Sequence, residues 1–228
     1  MQTILFLHGA LGSASQFDSL IAKLNPNYNC IAINFPKHGD NSIDCDFTIS
    51  NFTDYLIQYL ENNFTEKIFI FGYSMGGYIA LNAAVRKPEL FSGIITLATK
   101  FNWNEEIAMH ETSMLNPDIM EQKIPAFVQQ LKTTHQYLDW RELISKTKNL
   151  MIDLGNFSPL SKSALQTIDV KVMVGLGDKD NMVSIDETLN TFRELKNGSF
   201  YLLPNTKHPL EKVNYELLIA HVDSFIKS

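Results

Sequence analysis

The chain has 228 residues, of which 45% are hydrophobic and 19% charged, with a formal net charge of −6. This suits one large globular domain, or a domain with an insertion. An acidic balance with no lysine or arginine cluster argues against a nucleic-acid or anionic-membrane partner. The start, Met1-Gln2-Thr3 followed by the short apolar run Ile4–Leu7, has neither the basic region of a signal peptide nor the length of a membrane span. Stable membrane insertion is therefore not expected. Cys30 and Cys45 lack metal-ligand spacing, and the simplest expectation is a reduced chain in the cytoplasm.

In chain order, Thr3–Leu7 is the first predicted strand, and the glycine-flanked loop His8-Gly9-Ala10-Leu11-Gly12-Ser13 follows it. A second strand, Cys30–Asn34, leads to His38, whose simplest role is in the turn. Phe52, Leu56, Tyr59, Leu60 and Asn63 keep three-and-four spacing, which predicts an amphipathic helix with Ser50 as its N-cap. The third strand, Lys67–Phe71, runs into Gly72-Tyr73-Ser74-Met75-Gly76 and then into the small-residue helical run Ile79–Val85. Further strands are expected at Gly93–Leu97, Val170–Gly175 and Ser199–Leu203, and a last helix carries Val213, Leu217, Ala220 or His221, and Phe225 on one side. Near-continuous apolar strands alternating with one-sided helices predict an α/β fold: a mostly parallel sheet of about six strands with helices on both faces. One connection is too long for a single crossover. Lys100 to Asp169 spans 70 residues and reads as several helices, so residues 100–156 are expected to form an inserted helical cap. Residues 1–99 and 157–228 then make the core domain, with a sheet-packing helix at Pro159–Ile168.

Gly72-Tyr73-Ser74-Met75-Gly76 is a G-x-S-x-G pattern placed between a strand and a helix. A serine on so sharp a turn is strained, and the two glycines remove the Cβ atoms that would collide. Its hydroxyl then sits at a helix N-terminus, where free N–H groups favour negative charge. Ser74 is thus a candidate nucleophile, and it needs a base, an orienting acid and an oxyanion site. Among six histidines, His208 lies in the loop after the last strand and is the expected base. His221 is mid-helix and reads as structural; His110 and His135 lie in the cap, where they either line a pocket or, by the simpler reading, occupy solvated helix positions. Asp178 and Asp180 both follow the fifth strand, and spacing leaves either as the acid. The loop after the first strand and the N–H of Met75 are the expected oxyanion donors.

Five segments in this order resemble the α/β-hydrolase fold family over essentially the whole chain. They are Leu7-His8-Gly9, Phe35–Ser42, Gly72–Gly77, Gly177–Val183 and Lys207-His208. The resemblance places the acid on Asp180 and the oxyanion donors on the backbone N–H groups of Ala10 and Met75. It implies a serine hydrolase with a Ser74–His208–Asp180 triad, an acyl-enzyme and no metal or organic cofactor. The chain departs from the family pattern in opening directly at the first strand, without the family's leading hairpin. It also departs at Lys37, Lys171 and Lys207, where glycine, proline and glycine are common. Lys207 is expected to face solvent. A small-molecule acyl substrate, by default a small or medium apolar carboxylic ester, is expected. The same machinery serves thioesterases, lysophospholipases, C–C bond hydrolases and perhydrolases, and some members of the fold are ligand receptors. Trp103, Met109, Met114, Met120, Phe127, Tyr137 and Trp140 are expected either to fill the cap core or to line the pocket. Oligomeric state is not legible.

Overall fold

Six apolar segments pair side by side in the computed structural model, which describes residues 1–228. They are β1 (Thr3–Leu7), β2 (Asn29–Ile33), β3 (Ile68–Tyr73), β4 (Phe91–Leu97), β5 (Val172–Gly177) and β6 (Gly198–Leu203). All neighbours are parallel, and the spatial order is β2-β1-β3-β4-β5-β6. Parallel pairing demands crossover connections, and these place helices on both faces. The alternation of side chains along each strand therefore feeds two separate cores. On one face Leu5, Leu7, Ile70, Ile94 and Val174 meet Phe52, Leu56 and Leu60 of α2 (Ile49–Asn63) and the small residues of α3 (Met75–Arg86). On the other face Ile4, Phe6, Phe69, Phe71 and Ile95 meet Leu20 and Leu24 of α1 (Asp18–Leu24). Leu218, Val222 and Phe225 of α10 (Tyr215–Lys227) pack on that same face.

The strand order reverses at one place. From β1 the chain moves outward to β2, then crosses back over β1 to β3 and continues the other way. At such a reversal the loops leaving two adjacent strands diverge to opposite faces and open a crevice at the C-terminal strand ends. The loops after β1 and β3 flank that crevice.

Between β4 and β5 lie α4 (Glu105–Ser113), α5 (Pro117–Lys123), α6 (Pro125–Thr134), α7 (Trp140–Asn156) and the short α8 (Lys162–Leu165). In α7, Trp140, Leu143, Ile144, Thr147, Leu150 and Leu154 form one buried stripe, and Asp139 caps it by accepting from the N–H groups of Arg141 and Glu142. After β5, α9 (Ile185–Glu194) opens on a reciprocal cap between Ser184 and Glu187.

Several local expectations need correction. The N-cap of α2 is Thr48, which accepts from the Asn51 N–H at 3.0 Å; Ser50 is exposed inside the first turn. The helix expected over Pro159–Ile168 shrinks to Lys162–Leu165, because Ser158 and the Leu160 N–H both bond the Tyr78 hydroxyl and keep that stretch out of the helix. In α10 the buried residue is Leu218, and Leu217 is exposed, since the helix starts at Tyr215 under an Asn214 cap. Strand limits move by one or two residues; β5, for example, runs to Gly177.

Candidate active site

The turn from β3 to α3 consists of Ser74 alone, with φ 51° and ψ −118°. Positive φ on a residue with a side chain costs energy and persists only where surroundings enforce it. Here they do. The Ser74 N–H donates to Leu97 O at 2.9 Å, and its carbonyl accepts from Thr99 Oγ1 at 3.0 Å and from the Gly77 N–H at 3.1 Å. A Cβ on Gly72 would lie 2.4 Å from the Gly77 Cα, and one on Gly76 would lie 2.2 Å from the Leu7 carbonyl oxygen. So close a passage of backbone past backbone is what both glycines permit. The β1 loop also passes tightly here, since a Cβ on Gly9 would stand 3.2 Å from the Ser74 Cβ.

Loops from two other strand ends bring Asp180 and His208 together. His208 Nδ1–H donates to Asp180 Oδ2 at 2.8 Å. The other carboxylate oxygen, Oδ1, accepts from the N–H groups of Met182 and Val183 at 2.8 and 2.9 Å. The Asp180 side chain has no exposed surface. With its oxygens accepting from three donors, this carboxylate takes the Nδ1–H of the imidazole and leaves Nε2 turned away from it. Asp178 is used differently: its carboxylate accepts from the Thr206 N–H at 3.2 Å and laces the β5 and β6 loops together. That lacing, with Lys179 N–H to Thr206 O at 3.0 Å, sets the two loops in register.

Ser74 Oγ makes no hydrogen bond to His208; the contact between this turn and that loop comes from the neighbouring Tyr73. Its hydroxyl donates to the His208 carbonyl oxygen at 3.0 Å, and the two rings lie 5.7 Å apart. Burial pushes the Tyr73 phenol far above its ordinary range and keeps it a donor.

Beside Ser74, the loop after β1 is held from below. His8, fully buried, donates through Nδ1 to the Gly9 carbonyl at 2.8 Å and accepts through Nε2 from the Phe35 N–H at 3.1 Å. Because a peptide is planar, pinning the Gly9 carbonyl aims the Ala10 N–H the opposite way. That N–H has no backbone acceptor, and the N–H of Met75 stands at the first position of α3, outside the intrahelical ladder. Ala10, Ser74 and Met75 together line a narrow cavity of ≈ 40 Å³ walled by Trp103, Leu150, Met151 and Leu154. A larger depression of ≈ 730 Å³ sits at the opposite end of the sheet among Gln2, Lys67 and Lys171, far from Ser74.

A profile of the alpha/beta hydrolase fold matches residues 2–134, more than half the chain. The chain belongs to the α/β-hydrolase fold family. An uncharacterized hydrolase of Bacillus subtilis, YugF, is 24% identical over 261 residues, covering 99% of this chain and 90% of the relative. Among solved structures, NosK of Streptomyces actuosus superposes with a TM-score of 0.86 at 16% identity, covering 99% and 97% of the two chains. A putative lipase of Acinetobacter baumannii does so with 0.82 at 21% identity, covering 99% and 83%. No helix of this family member is long and apolar enough to cross a membrane.

Other candidates of the sequence fall elsewhere. The His221 ring lies 5.0 Å from that of Tyr201, tilted against it, a structural place, and His110 is exposed on α4. Lys207 is exposed, as expected. His135 contradicts its expectation. It is only 4% exposed, within a buried cluster where its ring lies 5.6 Å from that of His38, which lies 4.9 Å from His8. Of the seven large residues expected in the insertion, Trp103 lines the cavity, Met120 and Trp140 are buried between helices, and Met109, Met114, Phe127 and Tyr137 are exposed. Lys100 also lines the cavity and was not anticipated. Its ammonium donates to Met182 O at 2.7 Å and pairs with Glu111 at 3.4 Å and Glu187 at 3.8 Å, tying the loop that carries Asp180 to α4. Neither Tyr73 nor Lys100 has a sequence signal, because their partners are 135 and 82 residues away.

Proposed function

We propose that this α/β hydrolase cleaves small or medium apolar carboxylic esters through a Ser74–His208–Asp180 triad. The observation that carries the reading is the buried Asp180–His208 pair, tied by Tyr73 to the strained serine at the head of α3. His208 Nε2 accepts the proton of Ser74 as Oγ attacks the ester carbonyl carbon, and Asp180 stabilises the imidazolium that forms. The N–H groups of Ala10 and Met75 bind the oxyanion. His208 then gives the proton to the departing alcohol. Water, deprotonated by the same histidine, hydrolyses the acyl-enzyme to the acid and free Ser74.

Residues 100–156 act in this reading as a cap, with α7 and Trp103 roofing the acyl site. The cavity beside Ser74 is walled mostly by apolar side chains, among them Trp103, Leu150, Met151 and Leu154, which favours an apolar acyl group.

Incubation with a fluorophosphonate and turnover of p-nitrophenyl acetate test the reading together. The wild type is expected to be labelled at Ser74, and Ser74→Ala and His208→Ala each to lower kcat by at least ~10³-fold. Near-wild-type turnover in either purified variant would refute it.

A further inference from the structure

We infer that His135, a residue of the helical insertion, is a positioning residue that clamps the loop bearing the Ala10 N–H. The inference rests on the serine-hydrolase reading of that loop.

His135 follows the last turn of α6 and is 4% exposed. Both ring nitrogens are committed, and to different segments of the core. Nδ1 accepts from the Gly39 N–H at 3.0 Å, while Nε2–H donates to the Leu11 carbonyl at 3.2 Å. An N–H donor at Nδ1 requires a lone pair there, so the ring is neutral with its proton on Nε2. The neighbouring Gln136 N–H donates to the Gly39 carbonyl at 3.0 Å, which makes the attachment to the Gly39 turn two-point.

Leu11 is the residue that most needs such a partner. It has φ 60° with a branched side chain, a conformation that the chain abandons unless it is enforced. It directly follows Ala10. The Gly9 carbonyl on the other side is held by His8 and by the Gly12 N–H at 3.1 Å. The direction of the Ala10 N–H is thus fixed by a bond on each flank, one from the core and one from the insertion. Without His135 the Leu11 carbonyl loses its donor and Leu11 is free to relax to negative φ, which turns the Ala10 peptide. Oxyanion donors act only when they point at the developing charge before it appears, so the loss falls on the transition state and spares substrate binding.

Three variants separate this from a merely structural role: His135→Ala, His135→Asn and His135→Gln, with Ser74→Ala as control. Asparagine keeps an acceptor for Gly39 but is too short for Leu11, and it supports the fold if alanine does not. Glutamine supplies an acceptor and a longer-reaching donor. With p-nitrophenyl acetate, His135→Ala and His135→Asn are expected to lose about 10- to 100-fold in kcat with KM changed by less than about threefold. Inhibition by a short-chain trifluoromethyl ketone, which captures the serine oxygen as a hemiketal oxyanion, is expected to weaken in parallel. His135→Gln is expected to recover kcat to within about threefold of wild type. Wild-type kcat and inhibitor affinity in folded His135→Asn, or loss of thermal stability alone, overturn the inference while Ser74→Ala remains inactive. An active Ser74→Ala overturns the serine reading itself and this inference with it.

Discussion

The hydroxyl of Tyr73 donates to the backbone carbonyl of His208 at 3.0 Å, linking the residue before Ser74 to the residue that faces Asp180. The bond is buried, and it joins the C-terminal end of β3 to the loop after β6. Removing the hydroxyl alone, in Tyr73→Phe, keeps the ring packing and leaves the His208 carbonyl without a donor. A net loss of about 1 kcal/mol is expected, expressed as a kcat reduction of roughly fivefold together with a lower melting temperature. Steady-state kinetics and a thermal scan check this. A variant with unchanged kcat removes Tyr73 from the positioning of His208.

Asp180→Asn preserves shape and still offers Oδ1 to the N–H groups of Met182 and Val183. Its amide, however, cannot accept from His208 Nδ1–H while donating toward it, so the imidazole takes the other tautomer. A kcat decrease of about 10³- to 10⁴-fold is expected with little change in KM. A loss smaller than tenfold in pH 7 assays would remove Asp180 from the triad and reopen the choice of acid.

Met151 stands in the wall of the narrow cavity beside Ser74. Met151→Ala lengthens the space available to the acyl group. The ratio of kcat/KM for p-nitrophenyl hexanoate over acetate is expected to rise by at least about tenfold, since each accommodated methylene is worth roughly 1–3 kcal/mol. An unchanged chain-length profile would mean that the acyl group leaves the site by another route.

Three buried histidines make the fold sensitive to mild acid. Desolvation pushes His8 down to about 4, and pushes His38 and His135 below their ordinary values as well. His8 and His135 each accept an N–H bond that protonation would destroy. The unfolded chain takes up these protons near pH 6.5, and the folded chain only at lower pH. The stability they confer is therefore complete above about pH 6.5 and is lost as pH falls toward about 4. His8 alone accounts for roughly 2 kcal/mol by pH 5. Urea midpoints measured from pH 7.5 to pH 5 are expected to fall steadily; a flat profile over that range contradicts the buried neutral cluster.

Much of the architecture was legible because it is written in local pattern. Apolar strand runs, one-sided helices and the Gly72–Gly76 turn depend on neighbours within a few residues, so the parallel sheet with helices on both faces followed from sequence. Helix starts were less legible. Thr48 and Ser50 are both good caps, and the choice between them depends on which one the core leaves at the helix mouth. His135 was misplaced for a related reason: a polar residue at a helix end is ordinarily solvated, and only the arrival of the Gly39 and Leu11 backbones buries it.

The sequence by itself determined the fold class and the sharp turn at Ser74 between β3 and α3. Tertiary structure decided how the loops around that turn meet. The lacing of Asp178 to Thr206 brings Asp180 onto His208, Tyr73 reaches across to the same loop, and the insertion grips the loop after β1 through one imidazole. The physical reason is range. Backbone torsions and side-chain periodicity act over a few residues, whereas a buried hydrogen bond joins groups whose separation along the chain carries no information until the sheet has formed.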